Sequence, residues 1–345
     1  MNIVEVSGRG QSSVRALLRA PARALRDGRI VVFPTETVFG LGARFDDPAA
    51  VARIFEIKRR PITDPLIVHI AHPRQLRCVV RYCTPLARRL MERFWPGPLS
   101  VVLPRHGAVP PIVTAGLDTV CVRMPAHPLT RMLLRLAGVP VAAPSANLFS
   151  RVSPTSIDHV YADFGDDERI AWAITGPPPR HGLESTIVDC TGPEPVILRH
   201  GAVNVESIAR AAGCAVRERT LVAARRSAAA PGMMARHYAP AKPTVVCDDL
   251  SAALVRMTRR SGRVAAICST ATADACAHRF PNVHFLRAGA TVREIGRNLY
   301  ACLRAAESLG DTIAVEAVRP DGIGRTVMDR LRRACVPPDA GSHRS

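Results

Sequence analysis

The chain has 345 residues, 47% of them hydrophobic and 22% charged, which is enough apolar material for two ordinary domains and excludes a disordered or fibrous chain. No run of about 18 apolar residues occurs, which excludes a membrane-spanning helix, and the N-terminal stretch lacks the pattern of a secretory signal, so a cytoplasmic location without membrane association is expected. The net charge of +18 biases the surface toward polyanions, but the arginines are scattered, and Lys58 and Lys242 are the only lysines in a chain whose Arg, Ala, Pro and Gly usage looks like a coding bias.

In chain order, Ser13 to Asp27 has the spacing of an amphipathic helix ended by Gly28, and Ile30 to Phe33 is a short apolar strand. Asp46 and Asp47 before Pro48 form a helix start, and that helix runs to Lys58. Strands are predicted at Leu66–Ile70, Leu99–Leu103, Thr119–Arg123, Val139–Ala143 and Ile187–Asp189, and helices at Pro85–Phe94 and Leu129–Ala137; the block closes near Val196–Arg199. Residues 217–243 lose periodicity and read as a linker or lid. Strands at about 244–247, 264–268, 283–286 and 312–317 then alternate with helices at about 249–260, 271–279, 291–308 and 324–334. This is the rhythm of a parallel, doubly wound sheet, here without a GxGxxG loop. The expected division is a catalytic domain over 1–216, the linker, an accessory domain over 244–338 and a disordered tail over 339–345.

None of the ten cysteines falls in a CxxC pair, and several lie in apolar runs, which favours reduced structural thiols over zinc sites or disulfides. P-loop, GxSxG, HExxH and kinase motifs are absent. What remains is a set of polar residues at the ends of apolar strands. Pro34-Thr35-Glu36-Thr37 with Gly40 and Gly42 offers hydroxyls, a carboxylate and close backbone approach, although a capped turn would use the same residues. Lys58-Arg59-Arg60 precedes Pro61, and a lysine retained in so arginine-rich a chain suits a compact charge on one phosphate or carboxylate oxygen; a solvated helix C-terminus is the competing reading. His69 sits in a strand, where a structural role is common. Ala143, Ser145, Asn147 and Ser153 lie where small residues and hydroxyls could cradle a phosphate, although Ser153-Pro154-Thr155 also reads as a helix cap. Gly182 to Thr186 precedes a further strand.

Taken together and in order, FPTETVFGLGA (33–43), KRRPITDPLIVHI (58–70), FWPGPLSVVL (94–103), TAGLDTVCVRMPAHP (114–128), VPVAAPSAN (139–147), RVSPT (151–155), GLESTIVD (182–189), ILRHGAV (197–203) and PGMMARHYAP (231–240) resemble the threonylcarbamoyl-AMP synthase family of the YrdC-like superfamily. GIGRTVMDRL (322–331) resembles the accessory domain of its long form. The resemblance spans nearly the whole chain. It implies an open, twisted α/β sheet with a cationic cavity, followed by a smaller Rossmann-like domain. It also implies condensation of L-threonine, bicarbonate and ATP to threonylcarbamoyl-AMP and pyrophosphate, with Mg²⁺ accompanying ATP. Downstream transfer proteins would then modify tRNA next to the anticodon; whether tRNA touches this chain is left open.

By the same resemblance, Thr35, Thr37, His69, Arg123, Ala143 (through its main chain) and Ser185 are expected around threonine. Arg60, Asp64, Thr119, Ser145, Asn147, Ser153, Arg199, Tyr238 and its neighbour His237 are expected around the nucleotide, with Lys58 near the phosphates and Lys58 and Arg60 as the catalytic cations. Asp64 stands where the family usually has Asn, Phe39 where Tyr is commoner, and Leu148–Ser150 lacks the frequent Ser-Gly. A non-catalytic RNA-binding or ribosome-maturation module is the alternative that the charge favours. The threonine-side residues and the scarcity of aromatics (4%) weigh against it. A carbamoyl-adenylate enzyme is a further alternative, usually a longer chain with metal-ligand clusters.

Overall fold

The structure, a computed structural model, describes residues 1–6, 8, 10–218, 237–259 and 262–335. The expected tail and positions 219–236 of the expected linker lie outside them. The chain divides into two compact units: Met1–Phe149 with Pro154–Met233, and Met234–Ser345 with Ser150–Ser153. The short 150–153 segment is thus flanked by the first unit in sequence and groups with the second in space.

The first unit is built on an eleven-stranded mixed sheet. Its strands are β1 (Asn2–Val4), β2 (Ile30–Phe33), β3 (Gly40–Arg44), β4 (Ile67–His69), β5 (Leu99–Pro104), β6 (Thr119–Arg123), β7 (Val141–Ala142), β8 (Ile170–Ile174), β9 (Thr186–Asp189), β10 (Val196–Arg199) and β11 (Arg217–Glu218). They lie in the order β1-β8-β2-β3-β7-β4-β6-β5-β9-β10-β11. β4 and β6 run parallel, with His69 opposite Arg123, and β5 runs antiparallel to β6, with Ser100 opposite Arg123. Val32, Leu41, Val68, Val101 and Val122, all buried, belong to one core that also takes in Val51, Ile54 and Leu90 from the covering helices. Residues opposite each other on neighbouring strands share a face, so this pairing places His69, Arg123 and Ser100 side by side.

Local chemistry explains where the elements begin and end. The helix Pro48–Lys58 starts on the Asp47 carboxylate, which accepts from the Ala50 amide at 3.0 Å, and ends where Arg59 takes a left-handed conformation (φ 51°). Helix Pro85–Phe94 starts likewise on the Thr84 hydroxyl. The expected single helix over 13–27 is two, Gln11–Leu17 and Arg19–Arg26. Pro21 has no amide to give the Leu17 carbonyl, which interrupts the ladder there. The helix after the SPT string is capped by Ser156, not Ser153, with Ser156 Oγ accepting from the His159 amide. Gly40 and Gly42, which a polar pocket or a capped turn would use, lie in the strand β3. A side chain at Gly42 would stand 2.6 Å from the Phe33 ring and 2.7 Å from Val141, so the glycines let Phe33 lie across the strand.

The second unit is a four-stranded parallel sheet of β12 (Thr244–Cys247), β13 (Val264–Ser269), β14 (Val283–Gly289) and β15 (Thr312–Glu316), in the order β12-β15-β13-β14. Helices Leu250–Thr258, Thr270–Cys276, Val292–Leu309 and Ile323–Ala334 follow its strands, as the alternating rhythm predicted. At the C-terminal ends of β13 and β15 the Glu316 carboxylate accepts from the Ser269 amide at 2.6 Å and the Thr272 hydroxyl at 2.5 Å. The cysteines are free thiols, and burial pushes the Cys121 thiol up to about 12.

Candidate active site

Within the first unit the candidate residues form three groups. The first surrounds Arg123, at the C-terminal end of β6 and 3% exposed. Its Nε donates to the Gly97 carbonyl (3.3 Å), Nη1 to Thr37 Oγ1 (2.9 Å) and Nη2 to Glu36 Oε1 (2.5 Å). A guanidinium has five N–H groups, so two remain for a ligand. Glu36 was not assigned a role from sequence, and it is the counter-ion. Burial pushes its carboxyl up, but the Arg123 charge and hydrogen bond, with the amides of Glu36 and Ala126, outweigh burial and hold it below the usual carboxylate range. The His127 amide donates to its other oxygen at 3.3 Å.

Thr35 supports this group from beneath. Its hydroxyl donates to the Val38 carbonyl (2.6 Å), accepts from the Thr37 and Val38 amides and lies 2.8 Å from Thr37 Oγ1, so it fixes the turn that presents Thr37. His69, on β4, is buried and edge-on to Phe33 at 6.1 Å between ring centres. Burial, and after it the positive charge of Arg123, push its pKa down to about 3, so the ring is neutral at physiological pH. A neutral ring carries one N–H; Nδ1 lies 3.1 Å from the Ile67 carbonyl, and Val141 is a second backbone partner of the ring. The Ala143 amide donates to Ile67 O at 2.9 Å, so the main-chain group Ala143 can offer is its carbonyl.

The second group joins β5, β9 and β10. Ser185 Oγ lies 2.8 Å from Ser100 Oγ and accepts from Arg199 Nη2 at 3.1 Å, while Arg199 also donates to the Ser185 carbonyl through Nε (3.2 Å) and Nη2 (3.0 Å). Arg199, expected beside the nucleotide, therefore touches Ser185, expected beside threonine. Gly201 permits the approach, because a Cβ there would stand 2.3 Å from the Thr186 amide nitrogen and 2.4 Å from the Ser185 carbonyl carbon. Ser100, wholly buried, went unassigned from sequence; the one serine in the apolar run Leu99–Leu103 was its signal.

The third group is cationic. Lys58 is 1% exposed. Its ammonium donates to the Ser145 carbonyl at 2.6 Å and to the Asn147 carbonyl, and the Lys58 carbonyl accepts from the Phe149 amide at 2.8 Å. Lys58 thus shapes the 145–149 loop. Arg60 donates to the carbonyls of Asp64 (3.1 Å) and Pro65 (2.7 Å) and pairs with Asp64 Oδ2 at 2.9 Å, both side chains buried. The carboxylate where the family usually has an amide is therefore neutralised by its neighbour. Thr119 opens β6, four residues and about 13 Å of strand rise from Arg123, so it stands apart from the first group.

Three expected nucleotide-side residues, Ser153, His237 and Tyr238, belong to the second unit. All are buried, and the His237 and Tyr238 rings lie 4.1 Å apart.

A mixed sheet whose strand ends carry a buried, ion-paired polar row, followed by a separate parallel α/β domain, defines a two-domain α/β enzyme. The comparisons with known proteins identify its kind. The Sua5/YciO/YrdC family model, described as "Telomere recombination", matches residues 23–201, and the model for the threonylcarbamoyl-AMP synthase C-terminal domain matches residues 203–336. The threonylcarbamoyl-AMP synthase of Pyrococcus abyssi is 42% identical over 327 residues, covering 92% of this chain and 93% of the relative. That of Bacillus subtilis is 39% identical, covering 91% of each. The crystal structure of P. abyssi Sua5 complexed with L-threonine superposes with a TM-score of 0.89 at 40% identity, covering 97% of this chain and 98% of that one. The chain belongs to the threonylcarbamoyl-AMP synthase family, in its two-domain form.

Proposed function

We propose that this enzyme condenses L-threonine, bicarbonate and ATP into threonylcarbamoyl-AMP and pyrophosphate in the cytoplasm, and that downstream proteins use the adenylate to modify tRNA. The observation that carries this reading is the Arg123–Glu36–Thr37 group beside a neutral His69 and Ser185, in a chain that matches a threonine-bound relative over nearly its whole length. In it, the two spare N–H groups of Arg123 take the threonine carboxylate, the Ala143 carbonyl takes its ammonium, and His69 and Ser185 orient the rest. The Glu36 pair keeps the guanidinium from swinging.

The threonine ammonium gives up one proton to solvent, and the resulting amine and bicarbonate lose water to form a carbamate. A carbamate oxygen then attacks the α-phosphorus of ATP, and the bond to the bridging oxygen breaks to release pyrophosphate. The carbamate is already anionic, so no general base is needed. The demand is for cations to offset converging carboxylate, carbamate and triphosphate charge, which Arg60 and Arg199 supply while Lys58 holds the Ser145–Asn147 loop at the phosphates. Asp64 and Thr119 are assigned to the nucleotide side within the first unit, and Ser153, His237 and Tyr238 are nucleotide-binding candidates of the second unit. Magnesium enters with ATP as a substrate ion on its phosphate oxygens.

Incubation with ¹³C-bicarbonate, threonine and MgATP should yield an adenylate heavier by one mass unit than the unlabelled product. An adenylate without the label contradicts the reading. Loss of threonine affinity in His69→Ala, measured by calorimetry, checks the orienting role; unchanged affinity removes it.

A further inference from the structure

In the first unit β6, β5, β9 and β10 are successive neighbours, and one polar row crosses all four. Arg123 ends β6, Ser100 is the second residue of β5, Ser185 immediately precedes β9 and Arg199 ends β10. Ser100 stands in the middle, opposite Arg123 in register and 2.8 Å from the Ser185 hydroxyl. Its neighbours on β5 are apolar: Leu99, Val101 and Leu103 belong to the core on one face, Val102 to a cluster with Cys121, Ile187 and Leu198 on the other. Alanine would fill the place of Ser100 without taking a hydroxyl out of water, so packing alone does not account for it.

Counting donors and acceptors places the protons of this row. Arg199 Nη2 donates to Ser185 Oγ at 3.1 Å and occupies one of its two lone pairs. One of the two serines donates to the other. The Cys121 thiol, which burial keeps protonated, is the remaining hydrogen-bond partner of Ser100. Were Ser185 the donor, the Ser100 proton would be left with a sulfur, a weak acceptor, in a wholly buried place. With Ser100 as the donor every group is satisfied: the Cys121 S–H gives its proton to the Ser100 oxygen, and Ser100 gives its own to Ser185. Both Ser185 lone pairs are then filled, and its own proton is the one hydrogen-bonding capacity it has left. Two donors acting on one oxygen also polarise that proton and strengthen the bond it makes.

We propose that Ser100 is a positioning residue for the amino-acid substrate: by donating to Ser185 it holds that hydroxyl as a hydrogen-bond donor to an oxygen of bound threonine. Ser100 acts through Ser185 and needs no contact with the substrate itself. The proposal rests on the threonine-side reading of Ser185 and adds to it the direction of the bond and the residue that sets it.

A double-mutant cycle on the full-length protein tests it, with the Kd for L-threonine read by calorimetry. Ser100→Ala should weaken threonine about tenfold, the scale of one hydrogen bond to a charged or polarised group, and leave a non-hydrolysable ATP analogue within about twofold. Its thermal midpoint should stay within about 4 °C of the wild type, since little volume is lost. Ser185→Ala should weaken threonine at least as much. In the Ser185→Ala background, adding Ser100→Ala should change the affinity by less than about twofold, because the hydroxyl it orients is gone. Ser100→Thr keeps a hydroxyl on a strand residue and should recover most of the loss. Should Ser100→Ala lose its cooperative thermal transition, Ser100→Cys, with a poor donor in the same place, reads the same property and should also weaken threonine. Unchanged threonine affinity in Ser100→Ala, or an equal further loss when Ser185 is already alanine, overturns the proposal. A wild-type protein that takes up no threonine overturns the functional reading, and the proposal with it.

Discussion

The two units hold their candidate residues by different means. Around Arg123, the residues hang on the ends of adjacent strands, and register alone brings His69, Arg123 and Ser100 into line. Around Tyr238, in the second unit, a left-handed backbone is held by side chains of two helices of that same unit. The strand-end side is rigid in the way a sheet is rigid and suits a small substrate of fixed shape. The Tyr238 group depends on side-chain contacts to two helices and not on strand register.

The comparison breaks most visibly at Arg123. Arg123→Ala leaves Glu36 buried without its counter-ion, so it should cost about 3–5 kcal/mol in urea unfolding and abolish threonine binding. Replacing both members, Arg123→Met with Glu36→Leu, should restore much of the stability and none of the binding. Recovered binding would show that the pair is only structural.

Lys58→Ala removes two buried, charge-assisted bonds to the 145–147 carbonyls. We expect kcat/KM for pyrophosphate release to fall about 100-fold, with threonine affinity kept within twofold. Lys58→Arg should not rescue, because a planar fork does not fit a site filled by a compact ammonium. Equal losses on the two substrates would blur the distinction between the two sides.

The strand-end side also carries a pH signature. The His69 pKa is lowered from 6.5 to about 3, so between those values the unfolded chain binds a proton that the native state does not. Stability from this residue is full above pH 6.5 and falls by about 1.4 kcal/mol per unit as pH drops toward 3. His69→Gln should remove that proton uptake from the pH dependence of unfolding. An unchanged slope contradicts the buried neutral ring.

Asp64→Asn takes its carboxylate from a buried guanidinium, so it should lower the urea midpoint while tightening ATP about threefold; weaker ATP binding would mean that the pair itself orders the loop.

Much of the fold was legible in the sequence because its signals are local. Ile30–Phe33 and Thr119–Arg123 are apolar runs between turn residues, and Pro85–Phe94, Leu250–Thr258, Thr270–Cys276 and Val292–Leu309 carry their own caps. β3 was not legible, since two glycines in five residues argue against a strand until the Phe33 ring they accommodate is known. The candidate residues were legible as ordered motifs, but not their partners. Glu36 and Arg123 are 87 positions apart, and nothing local says that one neutralises the other. Lys58 spends its charge on main-chain carbonyls, which leave no trace in residue type. Thr35 beneath Thr37, and Arg199 bridging to Ser185, are likewise products of tertiary placement.

The most direct test of the central claim is pyrophosphate release from MgATP, with L-threonine and bicarbonate each supplied or withheld. The account predicts release only when both are present, together with a product of threonylcarbamoyl-AMP mass. Release that ignores threonine, or no release under any combination, would contradict it.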